Sequence, residues 1–495
     1  MKNIWLLSVL LLLAGCNEFL DERPSKGSNV EISTAGHLDA LLGNTDIFAK
    51  EENGSAVYST DDWGMTCDLY KVISQKFGLV PAEYFCWDIE NLPMEEYFWG
   101  DEYKKIFYAN LVLSNLDKVS GDEALKEELR CEANLIRAYS NFQLVNTFAL
   151  PYTDENKNEP GITLKLSNSF DESVKRKPIH EVYARIEADL TEALKAPNPI
   201  DKDDNFRPWR GNSAAAKAFA ARYWLFRGNY QTSMAYAEEA LKEYDELVDY
   251  NTEMEFYSNK YEVGTGDEKV VVELPKTWDN SGTSIHWKEF YFVRFIYQGA
   301  GWYVPSENLL SLYDPLYDLR YKYHIVEHYS KYWNKNYPSY PGYVFFGQYN
   351  APSGPTVAEM ILTKAECQAR QGNYTEAMKT VNLLRAKRMD ANAPEDRVNL
   401  SASSKEEAIR KILEERRREM PFSMRWYDLR RLNNNEDSTD DKALERVFYP
   451  MTATSVLTGE EPIVYTLPVD SRRWASPLPF TEIETSHGVI EQNRY

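Results

Sequence analysis

Apolar positions recur at helical spacing along much of the chain. Tyr103 to Leu116 carries Ile106, Phe107, Leu111, Leu113 and Leu116 close to a 3.6-residue period. Ala124 to Phe148 sets Leu135, Ile136, Tyr139, Phe142 and Val145 on one side, and Pro151 ends it. Ile179 to Leu194 repeats the pattern with Val182, Ile186, Leu190 and Leu194. Asn212-Ser213 then reads as a helix cap before the alanine-rich stretch Ala214 to Phe226. Gly228-Asn229-Tyr230 predicts a turn, and Met234 to Leu241 a partner helix.

The same order of parts returns later. Met360 to Arg370 is followed by Gly372-Asn373-Tyr374 and then Ala377 to Arg388. Small residues at the facing positions let paired helices approach closely, and the unit resembles a tetratricopeptide helix pair. Two distant, imperfect copies do not make a regular solenoid; they predict a helical scaffold with long insertions. Between the copies, Glu268 to Leu274 reads as a strand through Val270-Val271-Val272. From Trp278 to Tyr349 the chain is rich in Trp, Tyr, Gly and Pro with little helical period, the kind of irregular segment on which function tends to sit. Lys405 to Arg418 returns to helix, and Pro462 to Pro479 reads as extended.

The amino terminus has a different pattern. Met1-Lys2 is a short positive start, Ile4 to Leu13 is almost wholly apolar, and Leu13-Ala14-Gly15-Cys16 closes the run. A spanning helix needs about 20 apolar residues, and this run is about half that. It reads as a secretory signal, and its Leu-Ala-Gly-Cys ending resembles a bacterial lipoprotein signal. The resemblance implies removal of residues 1–15 and lipidation of Cys16. In a plain secretory signal, the alternative, a Cys at that point would be accidental. Residues 16–30 read as a polar tether, with Pro24 blocking an early helix. Residues 31–260 are read as an amino-terminal helical region and 261–495 as a carboxy-terminal region packed with it as one unit, because 495 residues exceed the usual single core.

Charge narrows the partners. The formal net charge is -21, from 77 acidic and 56 basic residues, which argues against nucleic acid and against basic-patch adhesion to anionic lipid. Tyrosine (34) outnumbers glycine (23), and there are 12 Trp. Such rings suit ligands with apolar faces and polar rims, sugars and peptides among them.

Signatures of catalysis are missing: there is no Walker loop, no Gly-x-Gly-x-x-Gly, no Gly-x-Ser-x-Gly and no His-Glu-x-x-His. His324 and His328 are four apart, but no third metal ligand accompanies them. Asp201-Lys202-Asp203-Asp204-Asn205 begins like a calcium loop, yet Phe206 stands where glycine is required, so it reads as a solvated acidic turn. No metal and no cofactor is expected. Beyond Cys16 there are Cys67, Cys86, Cys131 and Cys367; Cys67 with Cys86 is the nearest pair, and sequence leaves the connectivity open.

Several blocks, in order, resemble the SusD/RagB family of outer-membrane lipoproteins. They are Cys16-Asn17-Glu18-Phe19-Leu20-Asp21 with Pro24; Trp99 to Asn110; Arg137-Ala138-Tyr139 to Phe148 with Pro151; Glu415-Arg416 and Glu419; Arg425-Trp426-Tyr427-Asp428-Leu429-Arg430-Arg431; Leu478-Pro479-Phe480-Thr481-Glu482-Ile483; and Gln492-Asn493-Arg494-Tyr495. Ala149, Ser423-Met424 and Arg494 depart from the family's usual residues. On a helix, Arg425 and Asp428, and Asp428 and Arg431, are three apart and can pair, while Trp426 and Leu429 can pack inward. That reading makes the segment a staple to the scaffold.

The resemblance implies a mostly α SusD-like fold, with tetratricopeptide-like helix pairs as scaffold, a loop-rich ligand-binding face and a few short strands. It implies a non-catalytic, surface-exposed protein, lipid-anchored in the outer membrane, that captures an oligosaccharide and delivers it to a SusC-like TonB-dependent transporter. Some members take peptides or other nutrients. The family's binding residues do not carry over by motif. Candidates come from composition and place alone: Trp63 after Asp61-Asp62, Tyr84 and Trp87 after Pro81, and Trp278, Trp287, Trp302, Tyr303 and Trp333 in the irregular insertion. Each ring has two readings, stacking on sugar or packing in the core; Trp99 and Trp224, in helical patterns, read as core. A lipid-anchored glycoside hydrolase and a helical adaptor that binds only protein are the rival functions.

Overall fold

The structure, a computed structural model, describes residues 32–90, 97–202, 206–264, 266, 269–276, 283–297, 303–346 and 350–495. Cys16 lies outside them, as do residues 203–205 of the acidic turn. Among the described residues twelve helices have eight residues or more: α1 Ala35–Leu42, α2 Cys67–Phe77, α3 Leu79–Cys86, α4 Tyr97–Asn115, α5 Glu123–Phe148, α6 Ile179–Ala193, α7 Ser213–Phe226, α8 Tyr230–Glu243, α9 Val357–Arg370, α10 Tyr374–Arg388, α11 Lys405–Glu419 and α12 Arg425–Leu432. None of the described helices is long and apolar enough to cross a membrane. Strands are short and pair mostly in twos.

Helices α4, α5 and α6 pack in succession, and α7 with α8 and α9 with α10 form hairpins. Each hairpin turn is built as its sequence requires. Gly228 and Gly372 sit at φ +70° and +88°, a left-handed geometry that glycine adopts without strain. The helix that follows starts at the tyrosine of each Gly-Asn-Tyr unit, several residues earlier than the apolar pattern alone marks it. Asn229 Oδ1 accepts from Thr232 N at 3.1 Å; Asn212 Oδ1 accepts from Ala215 N at 2.8 Å and caps α7. The two hairpins, far apart in sequence, are neighbours in space because α8 packs on α9. Alanines make that approach possible: Ala214, Ala218, Ala237, Ala240, Ala365 and Ala377 share one buried cluster. The insertion between α8 and α9 therefore leaves the stack and returns to it at one place.

Arginine–carboxylate pairs cross this stack below the surface. Glu359 of α9 accepts from Arg222 at 2.6 and 2.9 Å and from Arg416 at 3.2 Å. Asp428 takes Arg416 and Arg431, each at 2.8 Å, and Glu366 takes Arg431 at 2.7 and 2.8 Å and Arg370 at 2.8 Å. Glu415 is held by Arg320, Arg385 and Arg418 at 2.5–2.7 Å. Burial alone would push the Glu366 carboxyl up; Arg431 and Arg370 outweigh it and hold it well below the usual range. The Asp428–Arg431 pairing and the inward Trp426 and Leu429, both 1 % exposed, match the staple expected from sequence. Arg425 does not: it reaches Asp61 at 2.7 and 2.9 Å, because the loop before α2 brings that carboxylate, shared with Lys442 and Arg417, alongside while Asp428 is already taken.

The insertion is less irregular than its sequence suggests. It holds an antiparallel hairpin, Glu255–Val263 with Val270–Lys276, and short helices at Glu307–Leu310, Leu319–His324 and Tyr329–Trp333. Two of its strands join the amino-terminal region: Phe295–Tyr297 pairs in parallel with Lys50–Glu51 and antiparallel with Asn350–Pro352. The carboxy-terminal extended stretch resolves into the strand Ile463–Leu467 and a 3₁₀ turn at Arg472–Trp474. Cys67, Cys86, Cys131 and Cys367 are free thiols, so the Cys67–Cys86 pair is not a disulfide here. Cys67 Sγ faces the Val447 carbonyl at 3.9 Å, whereas Cys86 is buried at the end of α3.

Candidate functional site

The insertion and the α2–α3 region share an aromatic core. Of the rings singled out from sequence, Trp63, Tyr84, Trp287 and Tyr303 belong to its interior and Trp87 to the neighbouring core of the helical stack; each is 5 % exposed or less. Trp63 meets the edges of Tyr58, Phe77 and Phe422 at 4.8–6.1 Å. Trp287 meets Phe345 and Phe346 at 5.4 and 5.5 Å. Trp87 donates its indole N–H to Ser59 O at 3.0 Å and lies under the Arg446 guanidinium at 4.7 Å. Tyr303 Oη donates to Ile296 O at 2.8 Å. None of these five rings presents a face to solvent, and the four of the aromatic core form its floor. Trp278 and Trp302 lie outside the described residues. Trp99 is core, as read, and Trp224 is half-buried against the helical core.

Trp333 is placed differently. It is half-buried at the end of the short helix Tyr329–Trp333, edge-on to the fully buried Tyr329 at 6.4 Å. Tyr257, Tyr261, Tyr332, Tyr337 and Tyr340, from the hairpin, the short helix and the loop after it, are likewise half-buried and packed on the aromatic core from outside. Tyr261 meets Tyr332 edge-on at 5.0 Å, which ties the hairpin to the short helix, and Tyr332 stacks beside Tyr329 at 5.8 Å. The loop after the helix is fixed by polar contacts: Ser330 Oγ donates to Pro338 O at 2.6 Å and accepts from Tyr340 N at 2.7 Å. Tyr340 Oη lies 3.3 Å from Thr66 Oγ1. Gly342 completes the support, since a Cβ there would fall 2.3 Å from the Tyr329 ring. The result is a rim of amphipathic rings on a rigid aromatic floor.

The chemistry available at this face is recognition. Tyr and Trp side chains offer flat apolar surface with a polar edge, which suits sugar rings with their C–H faces and hydroxyls. Four of the hairpin's charges are paired among themselves, Lys260 with Glu273 and Lys276 with Glu255, each at 2.6 Å. His324, one of the two histidines considered as a metal pair, is buried beneath the face. It bonds to Tyr250 Oη and Val344 O, each at 3.0 Å, and burial pushes its basicity down to about 3. His328 points elsewhere, to Ser339 Oγ at 2.5 Å. Among the described residues no three His, Cys, Asp or Glu side chains are grouped to hold a metal. Sequence reasoning singled out Trp333 in this stretch but not Tyr332, Tyr337 or Tyr340. The Ser, Asn and Pro turn residues between them were the available signal, marking where a ring can stand clear of the core.

Comparison with known proteins agrees with this architecture. The family model described as "Starch-binding associating with outer membrane" matches residues 18–225, and that of the SusD family matches residues 354–495. No curated protein matches in sequence. Among solved structures, a SusD-like carbohydrate binding protein from Bacteroides vulgatus ATCC 8482 shares 14% identity, with 92% of this chain and 97% of that one covered and a TM-score of 0.60. A SusD superfamily protein from Bacteroides thetaiotaomicron VPI-5482 shares 18%, covering 93% and 100%, with a TM-score of 0.60. A laminarin binding SusD-like protein shares 19%, covering 92% and 98%, with a TM-score of 0.55. Two family models in order at either end of the chain, and one fold along its length, place it in the SusD/RagB family.

Proposed function

We propose that this protein is a non-catalytic receptor that captures an oligosaccharide at the cell surface and delivers it to a SusC-like TonB-dependent transporter. The observation that carries the proposal is the Trp333-centred rim of half-buried Tyr and Trp on a fixed floor. Such a surface is preorganised, so little ordering entropy opposes ligand binding. A relative of the same fold is a laminarin binding protein, which favours a glycan over a peptide as the ligand. Cys16 carries the lipid anchor in this reading, holding the protein on the outer membrane, with residues 16–30 as tether, 31–260 as the amino-terminal region and 261–495 as the carboxy-terminal one. Calorimetry against a panel of soluble glycans and peptides, with a reducing-end assay on the same mixtures, tests the proposal. The expected result is heat with at least one glycan and no new reducing ends. New reducing ends would establish a hydrolase. Heat with peptides alone would establish a peptide receptor, and co-purification with a barrel without any ligand heat an adaptor.

A further inference from the structure

Residues 164–174 run along the outer side of α4 and are held there firmly. Tyr103 Oη donates to Thr163 O at 2.7 Å, and Asn110 Nδ2 donates to Lys165 O and Ser167 O at 3.0 and 3.1 Å. The loop also closes on itself. The Glu172 carboxylate accepts from Leu166 N at 2.9 Å and from Ser167 N and Oγ at 3.2 Å, and Lys165 Nζ donates to Glu172 O at 2.7 Å. These polar groups turn inward, while Phe170 and Leu166 turn out. Phe170 is 90 % exposed and Leu166 46 %. The Phe170 ring stacks on Phe107 of α4 at 5.8 Å, so it is propped against a helix. A scattered exposed apolar residue needs no explanation. A well-bonded loop that lifts a Phe and a Leu together into solvent points to a partner.

The chemistry selects a lipid surface. Phenyl and isobutyl groups lack a polar edge, and the side chains of Lys165, Ser167 and Glu172 are engaged within the loop, so the two apolar groups themselves offer nothing for a sugar hydroxyl to bond. The entry of the chain gives the second observation. Ser120 N donates to Ser33 O at 3.0 Å and Ala35 N to Ser120 O at 2.8 Å, so the segment from Cys16 joins the body at the turn between α4 and α5. Phe107 lies on that same hairpin, about 12 Å of helix rise before Asn115. A tether of residues 16–31 spans at most about 50 Å and does not by itself fix how the body faces the bilayer.

We propose that Phe170 and Leu166, backed by Phe107, enter the outer-leaflet boundary and form a second membrane contact that orients the anchored receptor. This rests on the lipid-anchor reading above. An amphipathic element at that depth needs no basic charge when the lipid is zwitterionic, which suits a body of net charge -21. The test uses the full-length lipidated protein in phosphatidylcholine vesicles. An environment-sensitive fluorophore is attached at Phe170→Cys or, as control, at Leu383→Cys, which replaces a residue 64 % exposed on α10; both are made in a Cys67→Ser background. The expected result is flotation of both proteins with the vesicles, and quenching by nitroxide-labelled lipid several-fold stronger at position 170 than at 383. Flotation with equal quenching overturns the bilayer contact and leaves the anchor standing. Loss of flotation, with no lipid mass on the amino-terminal peptide, overturns the anchor and the contact with it. Shielding that needs a co-purified barrel replaces the bilayer by a protein partner.

Discussion

The helical stack and the aromatic insertion bury difficult side chains in opposite ways. In the stack, α9, α11 and α12 carry charges into the interior, and each of Glu359, Glu366, Glu415 and Asp428 is matched by two or three arginines. In the insertion, much of the interior is built of rings, and their hydroxyls reach backbone carbonyls, as in Tyr303 to Ile296 and Tyr313 to Arg418. The stack is specified pair by pair, so a lost partner leaves an ion in low dielectric. The insertion is specified by shape, so a lost ring leaves a cavity, and a ring at the rim leaves only surface. In the function proposed above, ligand capture falls to the region whose outer layer can change without exposing a buried charge.

Substitutions separate the two regimes, and the largest effect is expected in the stack. Glu366→Ala removes the carboxylate that Arg431 and Arg370 share, leaving Arg431 with Asp428 and Arg370 with Asp440, and should destabilise by about 4 kcal/mol in denaturant unfolding, while the folded fraction still binds ligand. Next, Trp287→Ala removes a floor ring and should cost about 3 kcal/mol in the same measurement. A loss of binding by the folded Trp287→Ala protein, with stability unchanged, would reverse the assignment of floor and rim. Trp333→Ala is expected to act the other way, with little change in unfolding but a glycan affinity weakened about tenfold, or 1.4 kcal/mol, in calorimetry.

The smallest effect depends on pH. Burial, with Asp88 nearby, raises the Glu83 carboxyl from its ordinary 4.5 to about 7. An acid raised in the folded state favours the protonated form there, so its contribution to stability is best below pH 4.5. It declines as pH rises toward 7 and stays low above that. Glu83→Gln should therefore gain stability relative to the parent at pH 8 and gain little at pH 5, by thermal unfolding at both values.

The same contrast explains what could be read from the sequence. The helices were legible because period and caps are local: Asn212, the Gly-Asn-Tyr units and the apolar stripe of α5 each act within a few residues. The Arg425–Arg431 motif was legible as a staple, but its partners were not. Asp61 and Glu366 lie far away in sequence, and only the packing of α9 against α12 and the loop before α2 brings them in. The proposed ligand rings were the least legible. Trp63 and Trp333 look alike in composition and loop setting, and what separates them is the three-dimensional closure of the aromatic core over one and beside the other. Tyr257 and Tyr261 stand at the face because the hairpin is pinned to Tyr332, a contact of long sequence separation that no local pattern encodes.

The most direct measurement is calorimetric titration of one glycan into three proteins: the parent, Tyr332→Ala/Trp333→Ala and Trp63→Ala, each with its folded fraction determined beforehand. The account predicts that the double rim variant loses measurable binding while remaining as folded as the parent, and that the floor variant binds with parental affinity per folded molecule. Parental affinity in the rim variant would contradict it.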